Sequence, residues 1–415
     1  MKLRSLSVLL LSSSRALGSE LQKPLKATPA STSKSSPYSY APSYRDELVS
    51  LHKSLVEIPS VTGTENEVGK FLVDYLTARD FVVQLEFVPP QPNVSDDKPR
   101  FNVLAWPGPN RHPEPKVLVS SHIDTVPPFI NYSRTDSSLD ADTVIAGRGS
   151  VDAKASVAAQ IIALQSLLDS GSIAGEEDSV MLLYVVGEES LGDGMRYFSD
   201  TRGKLDPPPN FKAAIFGEPT EGRLVCGHKG IFGCDITVKG HAGHSGYPWL
   251  GKSATEVLMR GLVAVLDTDL GSSEEFGNTT VNVGLLEGGV AANVIPERAF
   301  ARIAGRVAIG PESDGGKIAA DRLRKVLRSV DEDAFEFDCK YGYGVIKCNC
   351  DVEGFETTTV NYGTDVHNLE GNHTRYLYGP GTIFVAHGPD EAIKLGDMEK
   401  AVEDYKKLIL HALES

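Results

Sequence analysis

The sequence predicts an α/β fold, with helices around a central, mostly parallel sheet and a smaller α+β domain inserted into it. Three features carry that prediction. Short apolar runs ending in polar residues recur as VLVSSHID, MLLYVVGEES, AAIFGEPT and FVAHG, with a helix-length segment, SVAAQIIALQSLLDSG, between the first two. Runs without strict alternation are typical of strands buried on both faces, which is how parallel sheets are built. After Cys226 the texture changes to strand, helix, two strands, helix, and text like the first part then returns in NYGTDVHNL and GPGTIFVAHGPDEAI.

At 415 residues the chain exceeds what one core commonly holds, so two domains are expected. Residues 1–18 have a basic start, a short apolar stretch over Leu6–Leu11 and small residues at Ala16 and Gly18, the layout of a secretory signal. Residues 19–44 are rich in Ser, Pro and Lys and predict a disordered or removable segment. Residues 45–228 form the first part of the catalytic domain, 229–338 the insertion, and 339–415 the second part. The insertion explains how His387 can rejoin residues near 122 to 218.

Composition narrows the partners. An excess of 56 acidic over 41 basic side chains gives a net charge of −15, which disfavours nucleic acid and anionic membranes. Asn93, Asn131, Asn278 and Asn372 each begin an Asn-X-Ser/Thr triplet, consistent with a secreted glycoprotein. Five cysteines allow at most two disulfides of unassigned connectivity and leave at least one thiol; none is assigned a catalytic role.

The chemistry gathers at the strand ends. Open α/β sheets bind ligands beyond the carboxyl ends of their strands, where His122, Asp124, Glu188, Glu189 and Glu218 all stand. Asp152 adds a carboxylate at a loop-to-helix junction, and His387 a second imidazole. This mixed N/O set suits zinc. With Asp152 as bridge, His122 and Glu218 serve one ion and Glu189 and His387 the other, leaving the open position that catalysis needs. Period-two alternation lets Asp124 orient His122 from behind. Adjacent buried anions are costly, so the glutamates divide the work, Glu189 as ligand and Glu188 as acceptor of a proton from zinc-bound water.

The ordered motifs HID, GRGSVDAK, GEES, GEPT, GHSGYP, GGVAANVIP, GTD, GPG and AHGPDEAI, spanning residues 46 to 412, resemble the co-catalytic zinc aminoacylase/carboxypeptidase family. Acetylornithine deacetylase, succinyl-diaminopimelate desuccinylase and glutamate carboxypeptidase are members, and the secretion features look most like its secreted fungal carboxypeptidases. The resemblance implies the same ligands and two zinc ions per subunit. It also implies that the insertion is a lid and dimerisation domain that supports a homodimer. In that domain His244 would polarise the scissile carbonyl, from its own chain or a partner's, and Asn293 and Arg306 would hold the substrate carboxylate. Ala155 stands where the family commonly has glycine, a change a helix start tolerates.

The expected function is a secreted two-zinc metallopeptidase that hydrolyses the amide bond at a peptide C-terminus or in an N-acyl amino acid. The alternatives are an acetylornithine-type deacylase and a non-catalytic amino-acid binder. The sequence does not distinguish the preferred side chain, the acyl group or the native metal.

Overall fold

A computed structural model describes residues 41–91, 98–135, 138–190 and 192–414. The expected signal, nearly all of the 19–44 segment and the Asn93 acceptor lie outside these residues.

Two helices, α1 (Arg45–Glu57) and α2 (Asn66–Thr77), lead into β1 (Phe81–Phe87) and β2 (Phe101–Pro107). Next come β3 (Val117–His122), α3 (Lys154–Asp169), β4 (Val180–Val185), α4 (Asp193–Thr201) and β5 (Ala213–Gly217). These strands and the later β13 (Thr374–Tyr378) form one six-stranded sheet in the order β1-β2-β4-β3-β5-β13. The sheet is mixed. β4, β3, β5 and β13 run parallel, whereas β1 and β2 pair antiparallel and β2 joins β4 antiparallel. The edge departs from the expected parallel order because no helix crosses over between β1 and β2.

The continuous apolar runs are buried on both faces, as their texture predicts. In β4, Val180, Leu182 and Tyr184 enter one core with α1, α3 and the later helix α7 (Leu395–Glu414), while Met181, Leu183 and Val185 enter another with Met195 and Phe198 of α4. One side chain in two therefore faces each layer. α3 is apolar on nearly every side because it is enclosed by the sheet, α1 and α7. It ends two residues before Gly171, whose φ of 68° supplies the left-handed turn that terminates many helices.

β6 (Leu224–His228) leads to a second sheet made of β7 (Gly230–Lys239), β8 (Thr280–Gly288), β9 (Arg298–Val307) and β10 (Phe335–Tyr343), ordered β8-β9-β7-β10 and antiparallel throughout. Helices α5 (Ala254–Leu266) and α6 (Gly315–Val330) cover one face around Phe232, Ile236, Leu258, Leu262, Leu323 and Leu327. β9 alternates strictly, burying Ala299, Ala301, Ile303 and Val307 and exposing Arg298, Arg302 and Arg306. β10 carries this sheet past residue 338, the boundary expected from the sequence. Cys339 pairs with Cys234 inside the ladder, and the strand continues to Tyr343.

The chain returns through β11 (Ile346–Lys347), β12 (Thr357–Val360), β13 (Thr374–Tyr378) and α7 (Leu395–Glu414). β11 and β12 flank β6, which places the exit and return of the insertion side by side. Disulfides join Cys226 to Cys350 at this crossing and Cys234 to Cys339 across β7 and β10, and Cys348 is the free thiol.

Candidate metal centre

β4, β3 and β5 are neighbours in the sheet, so their carboxyl ends deliver Glu188, Glu189, His122 and Glu218 to one place. His122 closes β3 and is 1% exposed. Its Nδ1 lies 3.0 Å from the backbone oxygen of Asp124. A carbonyl oxygen only accepts, so Nδ1 carries the hydrogen and Nε2 is left as the ligand atom. Nε2 faces Asp152 Oδ1 at 3.0 Å and Glu218 Oε2 at 3.9 Å.

His387 approaches Asp152 from the other side. Its Nε2 lies 3.2 Å from Asp152 Oδ2 and 2.9 Å from Glu189 Oε2. The two oxygens of one buried carboxylate thus address different imidazoles, each with its own glutamate. FVAHG, expected as a fourth buried strand, is instead a run of turns closed by local backbone hydrogen bonds, and His387 presents its ring from a left-handed backbone, φ 62°, at its end.

Asp124 does more than the sequence suggested. Its Oδ1 stands 3.4 Å from His122 Nδ1, and its two oxygens accept hydrogen bonds from the backbone N–H of Glu188 (3.1 Å) and Glu189 (3.2 Å). Thr62 Oγ1 donates to Oδ2 at 2.7 Å. One carboxylate therefore fixes both an imidazole and the turn that aims the two glutamates.

The electrostatics call for positive charge. Burial, then the neighbouring Glu218, pushes Glu188 well above the usual carboxylate range, and burial does the same to Glu218. Burial also acts on Asp152, but hydrogen bonds from His122 and His387 prevail and hold it low. His387, hydrogen-bonded to Asp152 and Glu189, is raised to about 10. His122, Glu188 and Glu218 offer ligand atoms within 4.8 Å of one another, as do His122, Asp152 and Glu189. Imidazoles and carboxylates this close, drawing each other toward charge, fit divalent cations, with Asp152 placed to serve both groups.

Two residues of the site escaped sequence reasoning. Arg148 and Glu391 form a buried ion pair at 2.6 Å, and Glu391 Oε1 accepts from the N–H of Val151 (3.1 Å) and Asp152 (3.2 Å). The only sequence signal was a charged residue inside each of two quoted motifs, GRGSVDAK and AHGPDEAI. Asp365 of GTD is also buried, beneath Gly192 in the glutamate turn, with Oδ1 accepting from Asn368 at 2.7 Å.

The second sheet's domain holds the remaining residues. His244 is exposed, its Nδ1 accepting from Gly246 N–H at 3.0 Å, and it stands opposite Val294 in a two-residue bridge. Ser245 N–H donates to the Asn293 backbone oxygen at 3.1 Å, so the main chains bearing His244 and Asn293 are brought together. Among the described residues no hydrogen bond or ion pair joins either to the five ligand candidates. Arg306 Nη1 reaches to 3.6 Å from where a Cβ on Gly363 would stand, just before Thr364 and Asp365. Its neighbour Arg302 is occupied by Asp235 at 2.7 Å, and Arg298 lies at the far end of β9. Among the histidines given no role, His228, His241, His367 and His373 stand outside the cluster; His228 is buried against Thr364, and His367 pairs with Glu312 at 2.9 Å.

Comparison with known proteins agrees with this architecture. Residues 226–333 match the peptidase dimerisation domain of the M20 type. A peptidase M20 domain-containing protein of Sordaria macrospora is 54% identical over 392 residues, covering 90% of this chain and 86% of its own. A probable carboxypeptidase of Aspergillus oryzae is 47% identical over 386 residues, covering 88% and 87%. The crystal structure of an M20 family metallo-carboxypeptidase from Sulfolobus solfataricus superposes with a TM-score of 0.65 at 18% identity, covering 89% of this chain and all of the other. On the identity of these long matches, the chain belongs to the M20 peptidase family and is a hydrolytic metallopeptidase.

Proposed function

We propose that the protein is a secreted, two-zinc carboxypeptidase that hydrolyses the amide bond at a peptide C-terminus or in an N-acyl amino acid. The observation that carries this reading is the double contact of Asp152, Oδ1 to His122 and Oδ2 to His387, with Glu218 and Glu189 completing the two ends. A bound pair of zinc ions would supply Lewis acidity and bring the pKa of water down to about 7. Glu188 accepts the proton of the attacking water and returns it to the leaving amine, a role suited to a buried carboxyl with raised proton affinity. His244 stabilises the developing oxyanion, and Arg306, with Asn293, binds the substrate carboxylate, for which a guanidinium fork is fitted. The names of the fungal relatives favour carboxypeptidase over deacylase.

The functional unit is a homodimer built through the inserted domain. Met259, Val263 and Leu266 line one stripe of α5, Leu285 and Leu286 lie on the edge strand β8, and all five are exposed. Large apolar side chains left exposed on one domain favour an interface there. Two disulfides, with exposed acceptors at Asn131, Asn278 and Asn372, support passage through the secretory route.

The test is metal content of the purified protein with a panel of dipeptides and N-acetyl amino acids, with and without chelator. Two zinc ions per chain and chelator-sensitive dipeptide cleavage are expected. Selective acetyl release would replace the peptidase by a deacylase, and metal-free inactive protein would overturn both.

A further inference from the structure

We propose that the buried Arg148–Glu391 ion pair is a positioning device for the metal bridge, and that it governs the His387–Glu189 position more than the His122–Glu218 position. The inference rests on the two-metal reading above. The two side chains are 2% and 1% exposed. A buried ion pair of this kind is weak evidence for stability, because desolvation offsets much of its attraction. Its partners say what else it does.

Glu391 Oε2 accepts from Arg148 Nη1 at 2.6 Å, while Oε1 holds the backbone N–H groups of Val151 and Asp152 at 3.1 and 3.2 Å. Arg148 Nη2 donates to the His387 backbone oxygen at 3.3 Å, and Nε donates to Pro128 O at 3.2 Å. The pair therefore grips main chain on both sides of the contact between His387 Nε2 and Asp152 Oδ2, 3.2 Å apart. His387 needs that grip: it sits on a turn whose other backbone bonds are local, with its side chain 52% exposed. His122 does not, since strand β3 and the Asp124 backbone hold it independently of the pair. Loosening the pair should release His387 and the Oδ2 arm of Asp152, leaving His122 and Glu218 in place.

The experiment strips the full-length protein of metal and titrates zinc into the wild type, Glu391→Gln and Arg148→Lys, counting bound zinc after equilibrium dialysis and checking folding by circular dichroism. The wild type should take up two zinc ions per chain. Glu391→Gln should bind one with unchanged affinity and the second about 10- to 100-fold more weakly, the range typical of groups that orient metal ligands. Arg148→Lys keeps the charge but loses the fork to His387 and Pro128, so its loss should be smaller and confined to the same position. If Glu391→Gln fails to fold, the double variant Arg148→Met, Glu391→Leu removes both charges together and should show the same split. Equal weakening at both positions, or two unaltered positions, would overturn the proposal. A wild type that binds fewer than two ions would instead overturn the two-metal reading beneath it.

Discussion

The metal centre and the inserted domain solve opposite problems. Around the centre, polar atoms are consumed within one chain: Asp124 has no exposure and its oxygens meet His122, Thr62 and two backbone amides. In the insertion, the groups that matter face outward. His244 is exposed, Trp249 and Val290 are 74% and 87% exposed, and the α5 and β8 stripe lies uncovered. Strand ends in a packed sheet yield a cluster finished by folding, whereas the loop bearing His244 leaves its side chains facing solvent. The two regions should therefore fail differently when altered.

The largest effect should come from the chemistry itself. Glu188→Gln should lower kcat by about 10²- to 10⁴-fold while zinc content, measured on the same sample, stays at the wild-type level; loss of metal in step with activity would make Glu188 a ligand instead. Next, a charge in the uncovered stripe should separate the regions. Val263→Glu with Leu286→Glu should convert a dimer to a monomer in sedimentation analysis and reduce kcat by about 10²-fold or more, the effect expected when an oxyanion donor is lost, with both metals retained. A fully active monomer would place His244 in its own chain's site.

A mixture sharpens that point. His244→Ala and Glu188→Gln chains, each inactive alone, should regain activity on being refolded together if His244 serves the partner's centre, because one site of each mixed dimer is then intact. No recovery, with mixed dimers demonstrated by mass, would mean that both residues act in one chain.

The smallest effect concerns stability. Burial lowers His52 and His228 to about 4, below the value of an unfolded histidine. As pH falls below about 6.5 the unfolded chain binds these protons first. Stability should therefore be full at neutral pH, decline toward pH 4 and level off below it, as far as these two groups are concerned. A His52→Gln variant should flatten that part of the Tm profile by a few degrees; an unchanged slope would exclude His52 as a source.

Much of the centre was legible because most of its candidate residues sit where a simple rule puts them, directly after short apolar runs that form buried strands. His122, Glu188, Glu189 and Glu218 needed nothing more. Arg148 and Glu391 were not legible, since they lie 243 residues apart and a charge in a motif looks the same whether it meets solvent or a buried partner. Chain pairing also hid the limits of the second sheet. β10 is decided by its register with β7, where Cys339 meets Cys234, and no local pattern near residue 338 announces it. Arg298, Arg302 and Arg306 occupy equivalent exposed positions on β9, and only the fold shows that Arg306 is the one near Gly363.

The bond between Cys226 and Cys350 encloses nearly the whole insertion in a covalent ring. If the protein is secreted as proposed, exposed loops such as the one bearing Trp249 are open to clipping by other proteases. Cutting a ring once does not divide the molecule. A clipped lid would stay attached at both ends, and nicked enzyme would run at full mass on a non-reducing gel and fall into two pieces only with reductant. Damage to the lid would thus be survivable in an oxidising medium and lethal in a reducing one, which ties the durability of this peptidase to the redox state of its surroundings.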